Sequence, residues 1–325
     1  MRSMKISGTG IGLPNKRISN ILLEGMCCTD AKWVEKTLGI RERRMASSYQ
    51  TTSTFASTAA LMAISNAGLQ PRDIDMIIVA TATPDRKAPS TACIVQRNIQ
   101  AKRAVCFDIA AVCSGFLYGM VVANQFIAQG VYKHVLVIGA DTFSSVTDYS
   151  RRDCVFFGDG AGAAVFSQAD DGFFAFELHS DGDGWDGFTI PGGGVEIPPT
   201  AQTMDEYLKT HRYFEMNGKK VYETATTVLP QTIISLLAKH KIDIDKIAML
   251  IPHQPSIGIL KETARKIGLP FEKVKHNMAK YANTSAGTIP ILLHEQFGSI
   301  NKGDLVLFAA VGSGWTWGSV VIEWV

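Results

Sequence analysis

The chain has 325 residues, 46% hydrophobic and 19% charged, with a formal net charge of +2. That composition fits a globular chain with a sizeable core rather than a disordered one, and the lack of a basic block argues against a dedicated nucleic-acid binder. Arg41, Arg43 and Arg44 make only a small local cluster, of the kind that coats a solvated face.

The first residues, Met-Arg-Ser-Met-Lys-Ile, pass directly into a β-like segment, without a signal-type apolar run and cleavage site. No run of about 18 apolar residues follows, so no membrane span and a cytoplasmic location are expected. Gly8-Thr-Gly-Ile-Gly12 looks like a phosphate-binding loop, but Leu13-Pro14 stands where the helix of a dinucleotide fold should open. A helix holding Trp33 ends near Gly39, and a second spans Thr54 to Ala67 before the natural stop at Gly68. Asp73 to Thr81 is a largely apolar run, the mark of a strand buried on both faces. Ser90 to Asn98 reads as a helix, Ala104 to Ile109 as a strand, and Ser114 to Gln129 as an almost wholly apolar helix buried all round. Val135 to Gly139 is another central strand. The glycines of Phe156 to Val165 form a turn feeding a further strand and permit close packing. Ser180 to about Thr203 carries Gly and Pro throughout and reads as a long surface loop.

From there the pattern repeats. Ile74-Asp-Met-Ile-Ile78 matches Ile247-Ala-Met-Leu-Ile251 at an offset of 173 (247 − 74), and the helices before them coincide. His134 to Ile138 lies over Asp304 to Phe308 at an offset of 170 (304 − 134). Two copies of one strand–helix unit are fused, with halves at 1–172 and 173–325, and alternating strands and helices give a layered α/β architecture.

Cys113 stands where a strand turns into the apolar helix of the first copy. There the positive end of the macrodipole favours thiolate. His253 ends the matching strand of the second copy. At the 170 offset Asn283 falls opposite Cys113, so a two-fold relation brings thiol, imidazole and amide together. The glycine turn of Val311 to Gly318 offers backbone N–H groups for an oxyanion. The six cysteines, at 27, 28, 93, 106, 113 and 154, form no C-x-x-C pair. They are read as reduced thiols with one employed, and no metal site is expected.

Several of these stretches carry a resemblance: Cys113-Ser-Gly-Phe116, Gly39-Ile-Arg-Glu-Arg43, Phe157-Gly-Asp-Gly-Ala-Gly-Ala163, His253-Gln-Pro255, Asn283-Thr-Ser-Ala286 and Gly314-Trp-Thr-Trp-Gly-Ser319. Together they resemble the β-ketoacyl-acyl carrier protein synthase III family of the thiolase superfamily, over essentially the whole chain. The resemblance implies a thiolase-like fold, two fused pseudo-equivalent halves layered α/β/α/β/α. It implies an acyltransferase in which Cys113 takes an acyl group from acyl-CoA and condenses it with a malonyl thioester on acyl carrier protein as carbon dioxide leaves. His253 and Asn283 would stabilise the enolate, and the N–H groups of Cys113 and Ser313 the oxyanion. Trp33 and Arg151 would sandwich the CoA adenine, and Ala88 would close the acyl pocket across a homodimer. CoA enters as a substrate, and no cofactor is implied.

Two departures bear on the role. His253-Gln-Pro-Ser256-Ile-Gly258 replaces the usual His-Gln-Ala-Asn followed closely by an Arg, and Glu223 stands where a Lys often docks the carrier. The fatty-acid initiator therefore stands beside two alternatives: a specialised-metabolism relative making quinolone- or resorcinol-type products, and an acyltransferase passing the acyl group to an alcohol or amine without decarboxylation. A silent scaffold is disfavoured by the complete Cys–His–Asn set.

Overall fold

The computed structural model describes residues 3–27 and 29–325; Cys28 and the first two residues lie outside the described residues, and so do the expectations placed on them. Strands β1 (Ser3–Gly12), β2 (Met76–Ala80), β3 (Val105–Ile109), β4 (His134–Asp141) and β5 (Gly160–Ala169) form one sheet, in the order β1-β5-β4-β2-β3. Strands β6 (Phe174–Ser180), β7 (Ile247–Pro252), β8 (Leu305–Gly312) and β9 (Thr316–Glu323) form a second, in the order β7-β8-β9-β6.

The sheets share one ladder. In the first, β2 runs parallel to β4, and β5 and β1 follow antiparallel. In the second, β7 runs parallel to β8, and β9 and β6 follow antiparallel. Every residue of β2 is buried, as its unbroken apolar run requires for a central strand covered on both faces.

The longer helices are α1 (Ala31–Leu38), α2 (Thr52–Asn66), α3 (Thr91–Ile99), α4 (Gly115–Ala128), α5 (Gly218–Lys239), α6 (Ile257–Ile267) and α7 (Thr288–Gln296). Phe116, Leu117 and Met120 of α4 share one core with Ile289 and Leu292 of α7, Val137 of β4 and Phe308 of β8. These two helices thus fill the space between the sheets, which is why α4 is apolar all round. Helices α2 and α3 cover the outer face of the first sheet through Ala59, Val95, Ile77 and Leu136. Helices α5 and α6 cover the second through Ile233, Leu260, Leu307 and Val321. The result is the five-layered α/β/α/β/α arrangement. No helix of the described residues is long and apolar enough to cross a membrane.

The repeat has a sharper register than the strands alone suggest. The single-turn helices Pro71–Asp73 and Ile244–Lys246, ahead of β2 and β7, lie 173 residues apart (244 − 71). The turns Val112–Ser114 and Ser285–Gly287, ahead of α4 and α7, lie at the same offset (285 − 112). Each opens on a residue with positive φ, 44° at Val112 and 51° at Ser285. The residue opposite Cys113 is therefore Ala286, and Asn283 precedes the second turn by two positions. The strands β4 and β8 correspond at an offset of 171 (306 − 135), close to the 170 read from the sequence, but the turns lie at 173, so a strand offset carried over to the turns misses by three.

Each turn is braced by a strand from the other half. A Cβ on Gly312 at the end of β8 would lie 2.8 Å from the Ala111 carbonyl oxygen and 3.1 Å from the Cys113 nitrogen. A Cβ on Gly139 of β4 would lie 2.0 Å from the Ala286 carbonyl oxygen. Only glycine lets backbone approach backbone so closely.

Two expectations gain detail. The glycine turn of Val311 to Gly318 is the closed end of the β8–β9 hairpin, with Trp315 buried. The stretch expected as a long loop from Ser180 contains a helical turn, Gly182–Gly187, and a short strand, Phe188–Thr189, paired with Glu215–Met216.

Candidate active site

Cys113 is the middle residue of the turn between β3 and α4, and it lines a cavity of about 380 Å³ together with His253, Asn283, Ser313, Trp33, Phe157 and Phe188. The sequence-derived thiol, imidazole and amide thus meet in one volume. His253 follows β7 and is tied to the neighbouring β8 by its N–H, which donates to the Ala309 carbonyl at 2.9 Å. Asn283 is stitched into the segment around Phe157: its N–H donates to the Phe156 carbonyl and its carbonyl accepts from Gly158 N–H, both at 3.0 Å.

The side chains are held from behind. Asn283 Oδ1 accepts from Ser285 N–H at 2.8 Å, which turns the Nδ2 donors the other way. His253 Nδ1 lies 2.8 Å from Thr288 Oγ1, and Thr288 Oγ1 lies 2.8 Å from the Ser285 carbonyl. The Ser285 carbonyl can only accept, so the Thr288 hydroxyl donates to it and accepts from His253 Nδ1–H, which sets the imidazole tautomer of the free chain.

The electrostatics differ from the sequence expectation. Burial pushes the Cys113 thiol up to about 12, a hydrogen bond with Ser285 pulls the other way, and the nearby Asp141 carboxylate adds to the rise. Desolvation of the thiolate works against the pull of the helix N-terminus. Burial also brings His253 down to about 3. Thiol and imidazole therefore both rest neutral, and no thiolate–imidazolium pair forms.

Ser313 sits in the hairpin turn, where its hydroxyl donates to the Phe188 carbonyl at 2.5 Å. With Gly312 pressed on the Cys113 turn, the backbone of the hairpin end faces the nucleophile. Phe188 and Phe157 belong to an aromatic cluster with Phe143 and Phe214, Phe143 and Phe157 stacking at 4.3 Å. This cluster forms an apolar wall of the cavity.

The arginine at Trp33 is Arg152, whose guanidinium lies 4.0 Å from the ring centroid. Arg151 is turned aside, bonded to Asp153 at 2.6 Å and to the Phe214 carbonyl at 3.3 Å. Ala88 lies on an exposed loop and does not line the cavity of its own chain. Glu223 is exposed on α5 beside Lys219.

Sequence reasoning passed over Ser285, Thr288 and Asp141. Asp141 had a signal: a carboxylate closing the otherwise apolar strand Val135 to Ala140. The hydroxyls of Ser285 and Thr288 had only their place just after Asn283.

Two family models match the chain: 3-oxoacyl-[acyl-carrier-protein (ACP)] synthase III over residues 107–182, and its C-terminal counterpart over residues 237–324. The chain is 43% identical over 324 residues to the β-ketoacyl-[acyl-carrier-protein] synthase III of Caldanaerobacter subterraneus subsp. tengcongensis, covering 98% of this chain and 97% of that one. It is 42% identical to the protein of the same name from Clostridioides difficile, covering 98% of each. Among solved structures, 3-oxoacyl-[acyl-carrier-protein] synthase III from Aquifex aeolicus superposes with a TM-score of 0.90 at 37% identity, over 99% of this chain and 100% of that one. The fold is thus the thiolase-like one that the sequence motifs implied.

Proposed function

The chain belongs to the 3-oxoacyl-[acyl-carrier-protein] synthase III family, and we propose that this condensing enzyme joins an acyl group from acyl-CoA to a malonyl thioester on acyl carrier protein, with loss of carbon dioxide. The observation that carries the reading is the meeting of Cys113, His253 and Asn283 in one largely apolar cavity.

Cys113 Sγ attacks the acyl thioester, and the oxyanion is held by the N–H groups of Cys113 and Ser313. The released CoA leaves an acyl-Cys113 enzyme. The adenine is held between Trp33 and Arg151, and the Arg152 guanidinium, which covers the Trp33 ring at 4.0 Å in the free chain, moves aside to admit it. The malonyl thioester then occupies the space beside His253 and Asn283. Asn283 presents Nδ2–H, and His253 presents Nε2–H once the Thr288 hydroxyl turns its proton from the Ser285 carbonyl to Nδ1. Both are neutral donors aimed at the oxygen where negative charge develops as the carboxylate departs, so they need not change protonation state. The nascent carbanion attacks the acyl-Cys113 carbonyl, giving a β-ketoacyl thioester and the free thiol.

On this reading the halves 1–172 and 173–325 supply the nucleophile and the enolate donors respectively, and the enzyme primes fatty-acid synthesis in the cytoplasm as a homodimer. Intact-mass measurement of the protein after acyl-CoA, followed by product and carbon dioxide release from malonyl-acyl carrier protein, tests it. An acyl adduct of Cys113 and a β-ketoacyl product are expected. Loading followed by transfer to an alcohol or amine, with no carbon dioxide, would replace it with the non-decarboxylating alternative.

A further inference from the structure

Attack by Cys113 requires its proton to go somewhere. The thiol sits neutral, and His253 is the imidazole whose one remaining nitrogen the condensation half-reaction employs. A different partner is in contact with the sulfur: Cys113 Sγ–H donates to Ser285 Oγ at 3.6 Å.

Ser285 is fully buried and opens the second turn at a φ of 51°, a backbone setting that side chains other than glycine seldom adopt. Strained residues of this kind cluster where function over-determines them. Behind it lies the carboxylate of Asp141, the last residue of β4, 1% exposed, which is bonded to the residue after Ser285 and approached by the Ser285 hydroxyl. Asp141 Oδ1 accepts from Thr81 Oγ1 at 3.1 Å, Ala82 N at 2.8 Å, Thr83 N at 3.1 Å and Thr83 Oγ1 at 2.8 Å. Oδ2 accepts from Ala286 N at 3.2 Å. Among the described residues no Lys or Arg forms an ion pair with it, so the charge is held by neutral donors alone. Burial raises its proton affinity above the ordinary carboxylate range, against the pull of those donors. A buried carboxylate one hydroxyl away from the nucleophile is placed as a proton acceptor.

We propose that Ser285 and Asp141 form a relay that takes the Cys113 proton during acyl loading. As the bond forms between Sγ and the thioester carbonyl carbon, the thiol proton passes to Ser285 Oγ, and the Ser285 hydroxyl proton passes to Asp141. Collapse of the tetrahedral adduct breaks the bond to the leaving sulfur. The proton returns by the same path to that thiolate, which departs as the free thiol, so nothing is gained or lost overall. The relay also removes a repulsion. An ionised Asp141 disfavours a thiolate at Cys113, and transfer of the proton neutralises one site as it charges the other. Ser285 touches the nucleophile and is catalytic; Asp141 acts through it. The inference rests on Cys113 being the acylated residue.

The test compares wild type, Ser285→Ala and Asp141→Asn from pH 6 to 10, by single-turnover loading from acyl-CoA and by iodoacetamide alkylation mapped to Cys113. Loading in Ser285→Ala is expected to fall about 10²-fold at pH 7, the lower range for loss of general base assistance. The deficit should shrink by about tenfold per pH unit as hydroxide removes the proton instead. Asp141→Asn should follow the same profile, and if it fails to fold, Ser285→Ala decides alone. Loading at the wild-type rate, or a deficit constant with pH, overturns the relay in favour of a packing role. If wild type takes up no acyl group, the acylation reading fails instead. The alkylation profiles then still decide the relay, which requires slower alkylation of Ser285→Ala near neutrality and convergence in alkali.

Discussion

The two turns Val112–Ser114 and Ser285–Gly287 share a backbone and differ in what they hold out. Both open at positive φ, both lead into a helix of the middle layer, and both are pressed by a glycine from the opposite half. The first carries the nucleophile in Val-Cys-Ser. The second carries Ser-Ala-Gly, with no nucleophile of its own, and serves the first: the Ser285 hydroxyl reaches Cys113, and the Ser285 N–H fixes Asn283. Duplication supplied a symmetric frame, and the side chains divided the labour.

That division is broken or sharpened most strongly at the nucleophile. Cys113→Ala should abolish loading and condensation, a loss of several orders of magnitude. Peptide mapping that put the acyl mass on Cys93, Cys106 or Cys154 would dissolve the contrast between the turns.

Next come His253→Ala and Asn283→Ala. Both should still load an acyl group while decarboxylation falls about 10²-fold, the usual cost of one lost electrostatic donor. Equal losses in the two half-reactions, measured separately by intact mass and carbon dioxide release, would merge roles that the frame keeps apart.

The bracing itself is tested by Gly139→Ala and Gly312→Ala. The former forces a Cβ onto the Ala286 carbonyl and should destabilise by about 1–3 kcal/mol, the usual range for overpacking, read as a lower Tm. The latter meets a looser neighbour and should cost less stability but displace Cys113, so that loading suffers more than the Tm does. Equal stability losses, with loading untouched in both, would show that the glycines only save space.

The smallest effect is expected at Ala88. Each methylene that finds apolar cover contributes about 0.8 kcal/mol, roughly fourfold in discrimination. Wild type should prefer medium or longer acyl-CoA, and Ala88→Phe should shift kcat/KM toward acetyl-CoA by a few fold. Ala88 is exposed within its own chain, so the effect requires a dimer; sedimentation as a monomer near the 35.3 kDa chain mass would remove its basis.

Much of this was legible in the residues. Unbroken apolar runs located β2, β4, β7 and β8, because a strand covered on both faces leaves no polar position to misread. Cys113 was legible from its place between a strand and an apolar helix. What failed were properties that depend on depth and direction. The macrodipole argument for a thiolate ignored desolvation, which only the folded surroundings determine. Arg151 and Arg152 are adjacent and chemically alike, and nothing in the sequence marks Arg152 as the one that covers Trp33 in the free chain. Asp141 was hidden because its five donors come from segments far from it in sequence or from backbone N–H groups that no side-chain pattern advertises.

The crossed bracing also orders events in time. Cys113 is seated against Gly312, which follows it by 199 residues (312 − 113), and the second turn is seated against Gly139 from the first half. Contacts of such long range carry a large loop-closure cost, and the core between the sheets is likewise built from both halves. On the ribosome the nucleophile is therefore synthesised long before the surface that positions it. The seat of the nucleophile is thus complete only when the residues around Gly312 have been made.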